Sequence, residues 1–216
     1  MDANRFALLL KDAKVIEADG LGIKVAALAD GRFLKLFRRR RLLSTALWAP
    51  PCRRFARNAA RLERLQIIAP KVLESIRVPE QGLGGVLYWP LPGETLRQRW
   101  AELDEQTLMN EVRQFGGFLG ELHEKGVYFR SLHLANVLRL PDGQLGLLDV
   151  ADMRIRRRPL NDNLRARNLR HMLRYRQDQE LLAKHYPQQW LDNYGQVCGE
   201  GRAALLGQAL QQAASH

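Results

Sequence analysis

Two Asp-Gly dipeptides divide the first part of the chain into short apolar runs, and this pattern limits the possible folds more than any other feature. Asp19-Gly20 and Asp30-Gly31 both fall between residues 13 and 37. Asp-Gly between strand-like runs is a strong hairpin signal, because these residues tolerate the positive φ of a tight turn. We therefore expect three antiparallel strands in this stretch.

A helix and two further strands are predicted to follow. The residues after Pro50-Pro51-Cys52, RRFARNAARLERLQI, place Phe55 and Leu62 on one side at helical spacing, opposite an arginine-rich face. The runs KVLESIRV and VLYW then favour two strands, which end at a Leu-Pro-Gly turn. We expect residues 1–90 to form an N-terminal lobe with a five-stranded antiparallel sheet and one helix.

The second half of the chain has long helical periods. One helix is predicted between Asp104 and Gly126, and a Pro-Asp-Gly turn at residues 141–143 predicts a short hairpin. Beyond Pro159, further helices are expected near residues 161–176, 177–185, 188–196 and 200–213. The whole chain is therefore predicted to be α+β, with a mainly helical C-terminal lobe over residues 91–216.

The formal net charge of +11 comes mostly from arginines in local runs. These runs are Arg38 to Arg41, Arg53 to Arg64, and Arg154 to Arg176. Arginine pairs with phosphate in a bidentate way, so nucleic acid, an anionic membrane face or a phosphorylated glycolipid would each suit this surface. Charge alone does not choose among them.

Other features bear on the location of the protein. No run approaches the roughly 18 apolar residues that a membrane span needs, and acidic residues flank the short apolar stretch near Met1, unlike a signal peptide. Cys52 and Cys198 lie far apart without paired Cys or His spacing, which argues against a disulfide framework or a zinc site. We expect a cytoplasmic protein.

Residues 129–154, FRSLHLANVLRLPDGQLGLLDVADMR, contain an amide and a carboxylate at Asn136 and Asp149. This segment resembles the catalytic and metal-binding loops of the protein kinase-like fold, which read His-Arg-Asp or His-Gly-Asp, then Asn, then a metal-binding Asp. Asn136 follows Ser131 at the family spacing. The resemblance implies ATP and Mg²⁺ as cofactors, with the hard oxygens of Asn136 and Asp149 as metal ligands.

The segment differs from the family pattern at one position, because Ser131 stands where the family has its catalytic aspartate. A general base typically contributes about 10²- to 10⁴-fold, whereas phosphoryl transfer depends mainly on positioning and charge neutralisation. The reaction can therefore survive this change, and His133 or Asp152 could replace the base. The alternatives are that His133 holds the loop and that Asp152 pairs with the adjacent arginines.

Upstream, the resemblance implies that Lys35, in RFLKLF, contacts the α and β phosphates of ATP. Gly20 and Gly22 then correspond to the phosphate-covering loop, although a plain turn explains them equally well. The family has a helix glutamate that pairs with the lysine. Alignment gives Asn58 at that position, and Glu63 is the alternative.

The run GVLYWPLPGETL resembles the hinge that joins the two kinase lobes. In that interpretation, backbone groups near Trp89 and Leu91 bond adenine, while a buried strand and a turn are the alternative. The order of these elements is that of a kinase: lysine strand, helix, hinge, helix, Asn136, Asp149.

Among kinase-like families, the chain is most similar to the bacterial heptose and Kdo kinases of the lipopolysaccharide core and to the related toluene tolerance proteins. LKLFRRRR, the catalytic segment and DMRIRRRPLNDNLRARNLRHMLRY support the likeness. It implies transfer of the ATP γ-phosphate to a core sugar, or to a related small or lipid-borne acceptor. The arginines would then meet lipopolysaccharide core or another anionic glycolipid, with peripheral contact at the inner membrane.

A second hypothesis is a pseudokinase-like binding or regulatory protein of envelope biogenesis, since Ser131 and Asn58 both depart from the family pattern. Nucleic-acid binding is a weaker alternative, because aromatic residues that could stack on bases are not interleaved with the basic runs.

Overall fold

The structure, a computed structural model, describes residues 1–38 and 50–214 and is an α+β fold. It divides into two compact units. The first comprises residues 1–91 together with 150–152, and the second comprises 92–149 together with the chain from residue 153 onward. Three arginines of the first basic run, at positions 39–41, lie outside the described residues.

The first unit is built on an antiparallel sheet whose strand order is β1-β2-β3-β5-β4. Its described elements are α1 (Ala3–Leu10), β1 (Lys14–Asp19), β2 (Gly22–Ala27), β3 (Phe33–Arg38), α2 (Pro51–Arg64), β4 (Lys71–Val78) and β5 (Leu83–Trp89). The predicted five-stranded antiparallel sheet is confirmed. The prediction of a single helix in this part of the chain is wrong, because α1 precedes the sheet. The Asp2 carboxylate caps α1 by accepting from the Arg5 N–H at 2.8 Å.

Both Asp-Gly dipeptides lie in the predicted turns. Asp19 pairs with Gly22 across β1 and β2, and the Asp19 carboxylate accepts from the Leu21 N–H at 2.9 Å. In the second turn, Asp30 accepts from the backbone N–H of Arg32 at 3.1 Å. Each aspartate therefore fixes its own turn by a side-chain bond to the backbone two residues on.

The two faces of the sheet pack against different helices. Leu34 and Leu36 of β3 join the core cluster that contains Phe6 of α1. Successive strand residues point to opposite faces, so Phe37 lies on the other side, where its ring centroid is 6.3 Å from that of Phe55 in α2. Lys35 shares that face by the same alternation, so its side chain projects on the side that α2 covers.

The second unit is mainly helical. Its described elements are β6 (Glu94–Thr95), α3 (Leu96–Trp100), α4 (Glu105–Glu124), β7 (Val127–Phe129), β8 (Val137–Arg139), β9 (Leu145–Leu147), β10 (Met153–Ile155), α5 (Asp162–Met172), α6 (Arg176–Gln179), α7 (Pro187–Cys198) and α8 (Glu200–Ala214). A turn of π-helix, Glu180–His185, joins α6 to α7. The predicted helix before Gly126 is α4, and the predicted hairpin is β8–β9. The helix predicted over 161–176 ends earlier, at Met172.

Helices α4 and α7 form the centre of this unit. They approach so closely at Gly116 that a Cβ there would collide with the carbonyl oxygen of Trp190. Trp190 and Tyr194 of α7 are both fully buried. The absence of a side chain at Gly116 therefore sets the distance between the two helices.

Candidate functional site

A loop from Phe129 to Asn136 holds the predicted catalytic residues, and α5 fixes where it begins. Asn168 accepts from the Phe129 N–H at 3.1 Å and donates its amide to the Phe129 carbonyl at 2.8 Å. Both residues are buried, so these bonds satisfy backbone groups that water does not reach. The end of β7 is therefore anchored just before Arg130 and Ser131.

The middle of the same loop is bonded to a buried carboxylate. Asp178 is fully buried and accepts from the Leu134 N–H at 2.9 Å. Arg97 donates to both of its oxygens, at 3.1 and 2.9 Å, in a bidentate ion pair. Sequence reasoning missed both Asn168 and Asp178, because each lies among several other polar residues of a helical stretch and has no distinguishing local pattern.

Asn136 is oriented by the backbone of Ser131. Its amide nitrogen Nδ2 donates to the Ser131 carbonyl at 2.8 Å, and its own N–H donates to the His133 carbonyl at 2.8 Å. With Nδ2 engaged, the carbonyl oxygen Oδ1 is the side-chain atom that can accept or ligate. Ser131, His133 and Asn136 are all partly exposed, whereas the intervening Leu132 and Leu134 are buried.

Asp149 lies beside Asn136 because the β8–β9 hairpin brings the two ends of its strands together. Val137 pairs with Leu147, and the Leu148 N–H donates to the Asn136 carbonyl at 2.8 Å. Asp149 itself adopts the left-handed conformation, with φ of +46°. This conformation is costly for a residue other than glycine, and such strain clusters at functional sites.

His133 has an environment that favours its neutral form. Burial lowers the pKa of the imidazole from its usual value, and the nearby charge of Arg97 lowers it further. The ring packs edge-to-face on Tyr175, with centroids 4.8 Å apart, and Nδ1 is buried without a hydrogen-bond partner. A neutral imidazole is the form that can accept a proton.

The other predicted site residues belong to the first unit. Lys35 is partly buried in β3, where it pairs with Val25 of β2 and Val86 of β5. It therefore sits on a central strand rather than at an edge of the sheet. Because strands pair with β3 on both sides, the backbone position of Lys35 is fixed, as a phosphate-contacting side chain requires.

Asn58 is buried in α2, and its amide nitrogen donates to the Val150 carbonyl at 2.8 Å. One turn earlier, Arg54 Nε donates to the Ala151 carbonyl at 3.3 Å. Helix α2 thus holds the three-residue segment that follows Asp149 in the chain. Glu63, the alternative to Asn58, is exposed.

Asp152 ends this segment. It is partly exposed and clusters with the first unit, although it directly precedes β10 of the second. Ser131 and His133 belong to the second unit. The two candidates for the general base, His133 and Asp152, therefore divide between the units.

The predicted phosphate-covering glycines form the turn between β1 and β2. Gly22 has a φ of +116°, and the Arg38 guanidinium occupies the space where a side chain would lie. Nothing lies within 4 Å of a Cβ placed on Gly20. The turn is therefore open at Gly20 and covered by a cation at Gly22.

Trp89 and Leu91, the predicted adenine contacts, stand at the end of β5 and just beyond it. Trp89 pairs with Lys71 of β4 and is 46% exposed, and a ring carbon lies 3.7 Å from a Cβ placed on Gly31. Leu91 is partly exposed and is the last residue of the first unit before the chain enters the second.

The donor set at Asn136 and Asp149 suits one kind of metal. In the described part of the chain, no group of three or more His, Cys, Asp or Glu side chains could hold a metal ion alone. Mg²⁺ is commonly bound by one or two protein oxygens together with substrate phosphates. A donor set of one amide oxygen and one carboxylate fits that mode and does not fit a structural zinc site.

The described helices include none that is both long enough and apolar enough to cross a membrane. Neither the models of known protein families nor the curated proteins contain a match to this chain.

Proposed function

We propose that this chain is a kinase-like phosphotransferase with two lobes. It transfers the γ-phosphate of ATP to a sugar of the lipopolysaccharide core, or to a related lipid-borne acceptor, at the cytoplasmic face of the membrane. The observation that carries the proposal is the arrangement of Asn136 and Asp149. One hairpin brings the backbones of the two residues close together, and the Ser131 carbonyl orients the Asn136 amide.

In this proposal each polar residue has a defined task. Asn136 Oδ1 and the Asp149 carboxylate hold the metal, and Lys35 holds the phosphates. Bound Mg²⁺ would neutralise the charge that develops on the phosphates during transfer. The strained backbone at Asp149 supports the assignment, since aspartate is kept in a conformation that glycine or asparagine adopts more easily.

The charge around Ser131 supports an anionic acceptor. Arg167, Arg170 and Arg174 are exposed and follow the spacing of one helical face, with Arg174 just past the end of α5. Arg174 donates to the carbonyl of Arg130 at 2.8 Å, which joins this face to the residue before Ser131. Arginines placed there would bind the phosphate or carboxylate groups of an acidic sugar.

His133 and Asp152 are the proposed candidates for the base that Ser131 lacks. His133 is held neutral by its environment and can accept the proton of an acceptor hydroxyl. Replacing each residue by one whose side chain ends in an uncharged amide, as in His133→Gln and Asp152→Asn, separates the two assignments. The variant that lowers kcat identifies the base.

The test is phosphate transfer from labelled ATP to purified core oligosaccharide with Mg²⁺, comparing Asp149→Asn with Asp142→Asn. Asparagine tolerates the left-handed backbone at residue 149, so the first variant removes the charge without disturbing the fold. Asp142 is an exposed aspartate in the turn of the same hairpin and serves as the matched control. Transfer should be lost only in Asp149→Asn. Absence of transfer by the unmodified protein, or equal transfer by both variants, refutes the proposal.

A second candidate, a pseudokinase-like binding protein, is favoured by Asn58. Its amide binds the Val150 carbonyl, so α2 holds the segment after Asp149 without a carboxylate. The test is the midpoint of thermal unfolding with ATP, measured with and without Mg²⁺, because a ligand that binds only the native state raises that midpoint. Turnover that disappears in Lys35→Ala would exclude this candidate.

A further inference from the structure

The second unit contains a cavity of about 530 Å³ that lies away from Asn136 and Asp149. It is bordered by the N-terminal part of α4, by α3 and by the turn of the β8–β9 hairpin. Its polar lining includes Arg99, Asn110, Glu111, Gln114 and Arg139. The volume falls within the range of pockets that hold small molecules.

Arg139 lines this cavity, and two of its three guanidinium nitrogens lack a hydrogen-bond acceptor. Only 8% of the residue is exposed, and Nη1 donates to the Gly143 carbonyl. Nε and Nη2 are buried without a hydrogen-bond partner. The closest approach to a carboxylate is 3.5 Å, from Nε to Glu111 Oε1, which is an ion pair but not a hydrogen bond. Leaving buried donors unpaired is unfavourable.

Glu111 does not supply the missing acceptor, because its carboxylate is directed towards two other donors. Oε1 accepts from Arg99 Nε at 2.8 Å, and Oε2 accepts from the indole Nε1 of Trp100 at 2.8 Å. One buried carboxylate therefore serves two guanidinium groups. Glu94 is 3.9 Å from Arg99 and its side chain is 63% exposed, so water screens its charge. Buried Arg139 and Glu111 balance each other, and Arg99, whose side chain is 33% exposed, adds one positive charge at the cavity.

We propose that this cavity binds a small ligand through one anionic group, a carboxylate or a phosphate. The anion would lie between Arg99 and Arg139 and supply the acceptors that Nε and Nη2 of Arg139 lack. Guanidinium groups bind both anions in a bidentate manner. The amides of Asn110 and Gln114 at the rim would contact the remainder of the ligand.

Trp100 provides a local reporter, because its indole N–H bonds the carboxylate that both arginines share. The experiment follows the indole N–H resonance of Trp100 by two-dimensional ¹⁵N NMR, using the full chain at constant ionic strength. The probes are inorganic phosphate and acetate, which represent the two head groups, and chloride is the baseline. At least one probe should produce a shift that saturates, and whichever binds more tightly identifies the head group.

Three variants locate the binding. Arg99→Gln removes one guanidinium, and Asn110→Trp fills the cavity from an exposed rim position without altering either arginine. Each should weaken binding at least tenfold. Arg176→Gln is the control, since Arg176 has an 88% exposed side chain and does not line the cavity. A shift that is absent, does not saturate, or saturates equally in Arg99→Gln overturns the proposal.

Discussion

Asn168 and Phe129 are bonded twice, although 39 residues separate them in the chain. The amide oxygen of Asn168 takes the Phe129 N–H, and its nitrogen meets the Phe129 carbonyl. Strand β7 pairs with β10 along one edge, where Met153 faces Phe129, and the Asn168 side chain takes the place of a strand on the other edge. Because Phe129 precedes Arg130 and Ser131, α5 determines where the catalytic-like loop starts.

Asn168→Ala should therefore destabilise the protein by about 2 to 3 kcal/mol, since it leaves the buried Phe129 N–H unpaired. The Phe129 carbonyl keeps a second donor, the Leu132 N–H at 3.2 Å, which limits the loss. Urea unfolding gives the change in free energy. Asn163→Ala, an exposed position on the same helix, is the control and should leave stability nearly unchanged. Equal effects of the two substitutions would contradict this account.

The buried carboxylate of Asp178 should contribute far more to stability than an exposed one nearby. Asp178→Ala leaves the Arg97 guanidinium and the Leu134 N–H without their acceptor, and we expect a loss of about 3 kcal/mol. The matched control is Glu180→Ala, which breaks the exposed pair with Arg176. That change should be undetectable in the same unfolding experiment. A substantial loss in both variants would mean that burial is not the cause.

Two adjacent glycines of α4 should respond oppositely to the same substitution. A Cβ at Gly116 collides with the backbone of Trp190, so Gly116→Ala should cost at least about 3 kcal/mol by forcing α4 and α7 apart. Gly117 has open space around its Cα, and Gly117→Ala should stabilise the helix by about 0.5 to 1 kcal/mol. Thermal unfolding midpoints measure both. The same sign for both variants would show that the helix packing is described wrongly.

Stability should fall on mild acidification because His123 is buried in its neutral form. Burial lowers the pKa of His123 from 6.5 to about 3. Below the pKa of the unfolded chain, the unfolded state binds a proton that the folded state does not, so stability is lost as pH falls towards the folded pKa. Between about pH 6.5 and pH 5 the loss is about 2 kcal/mol.

Urea unfolding as a function of pH tests this. His123→Gln should flatten the dependence above pH 5, whatever its effect at neutral pH. His133, whose pKa burial also lowers, adds to the fall in the same direction, so His133→Gln should flatten it in part. Exposed His185 provides the control, and an unchanged slope in His123→Gln would refute the prediction.

Restoring a carboxylate at residue 131 should raise phosphate transfer if the proposed function is right. Ser131→Asp puts a general base where the kinase-like pattern has one, and the bond from Asn136 persists because it goes to the backbone. We expect kcat to rise by about 10²-fold, with little change in KM for ATP. Ser131→Asn has the same size without the base and should show no gain. An increase in both would point to a change in binding rather than in proton transfer.

Local patterns account for the parts of the fold that could be predicted from the sequence. Each Asp-Gly turn is fixed by its own aspartate. Helix α4 is capped by Asp104, the residue directly before it, and carries its apolar face within its own 20 residues. Helix α1 also has a local signal, the capping Asp2, although the sequence analysis did not predict this helix. Lys35 could be assigned to a strand because the Asp30-Gly31 turn lies just before it, whereas the central position of that strand depends on pairing with the distant β5.

Contacts between distant residues account for what could not be predicted. The spacing from Ser131 to Asn136 is local and indicated a loop, but the groups that hold this loop are Asn168 and Asp178, which come from later helices. Nothing in a single Asn or Asp within a helical pattern shows that it will be buried. Likewise, the partner of Asn58 is a carbonyl 92 residues away, which no alignment to a helix motif could supply.

The chain passes between the two units at residues 91–92, 149–150 and 152–153, so neither unit is a single stretch of sequence. The tripeptide Val150–Asp152 lies within the sequence of the second unit but belongs to the first, where Arg54 and Asn58 of α2 donate hydrogen bonds to its carbonyl groups. A fragment that ends at residue 91 would lack these two carbonyl acceptors. A chimera that exchanges only residues 1–91 between two such proteins would combine α2 of one protein with the Val150–Asp152 tripeptide of the other. Keeping the two matched requires the exchange of residues 150–152 as well, which creates three junctions in the chain.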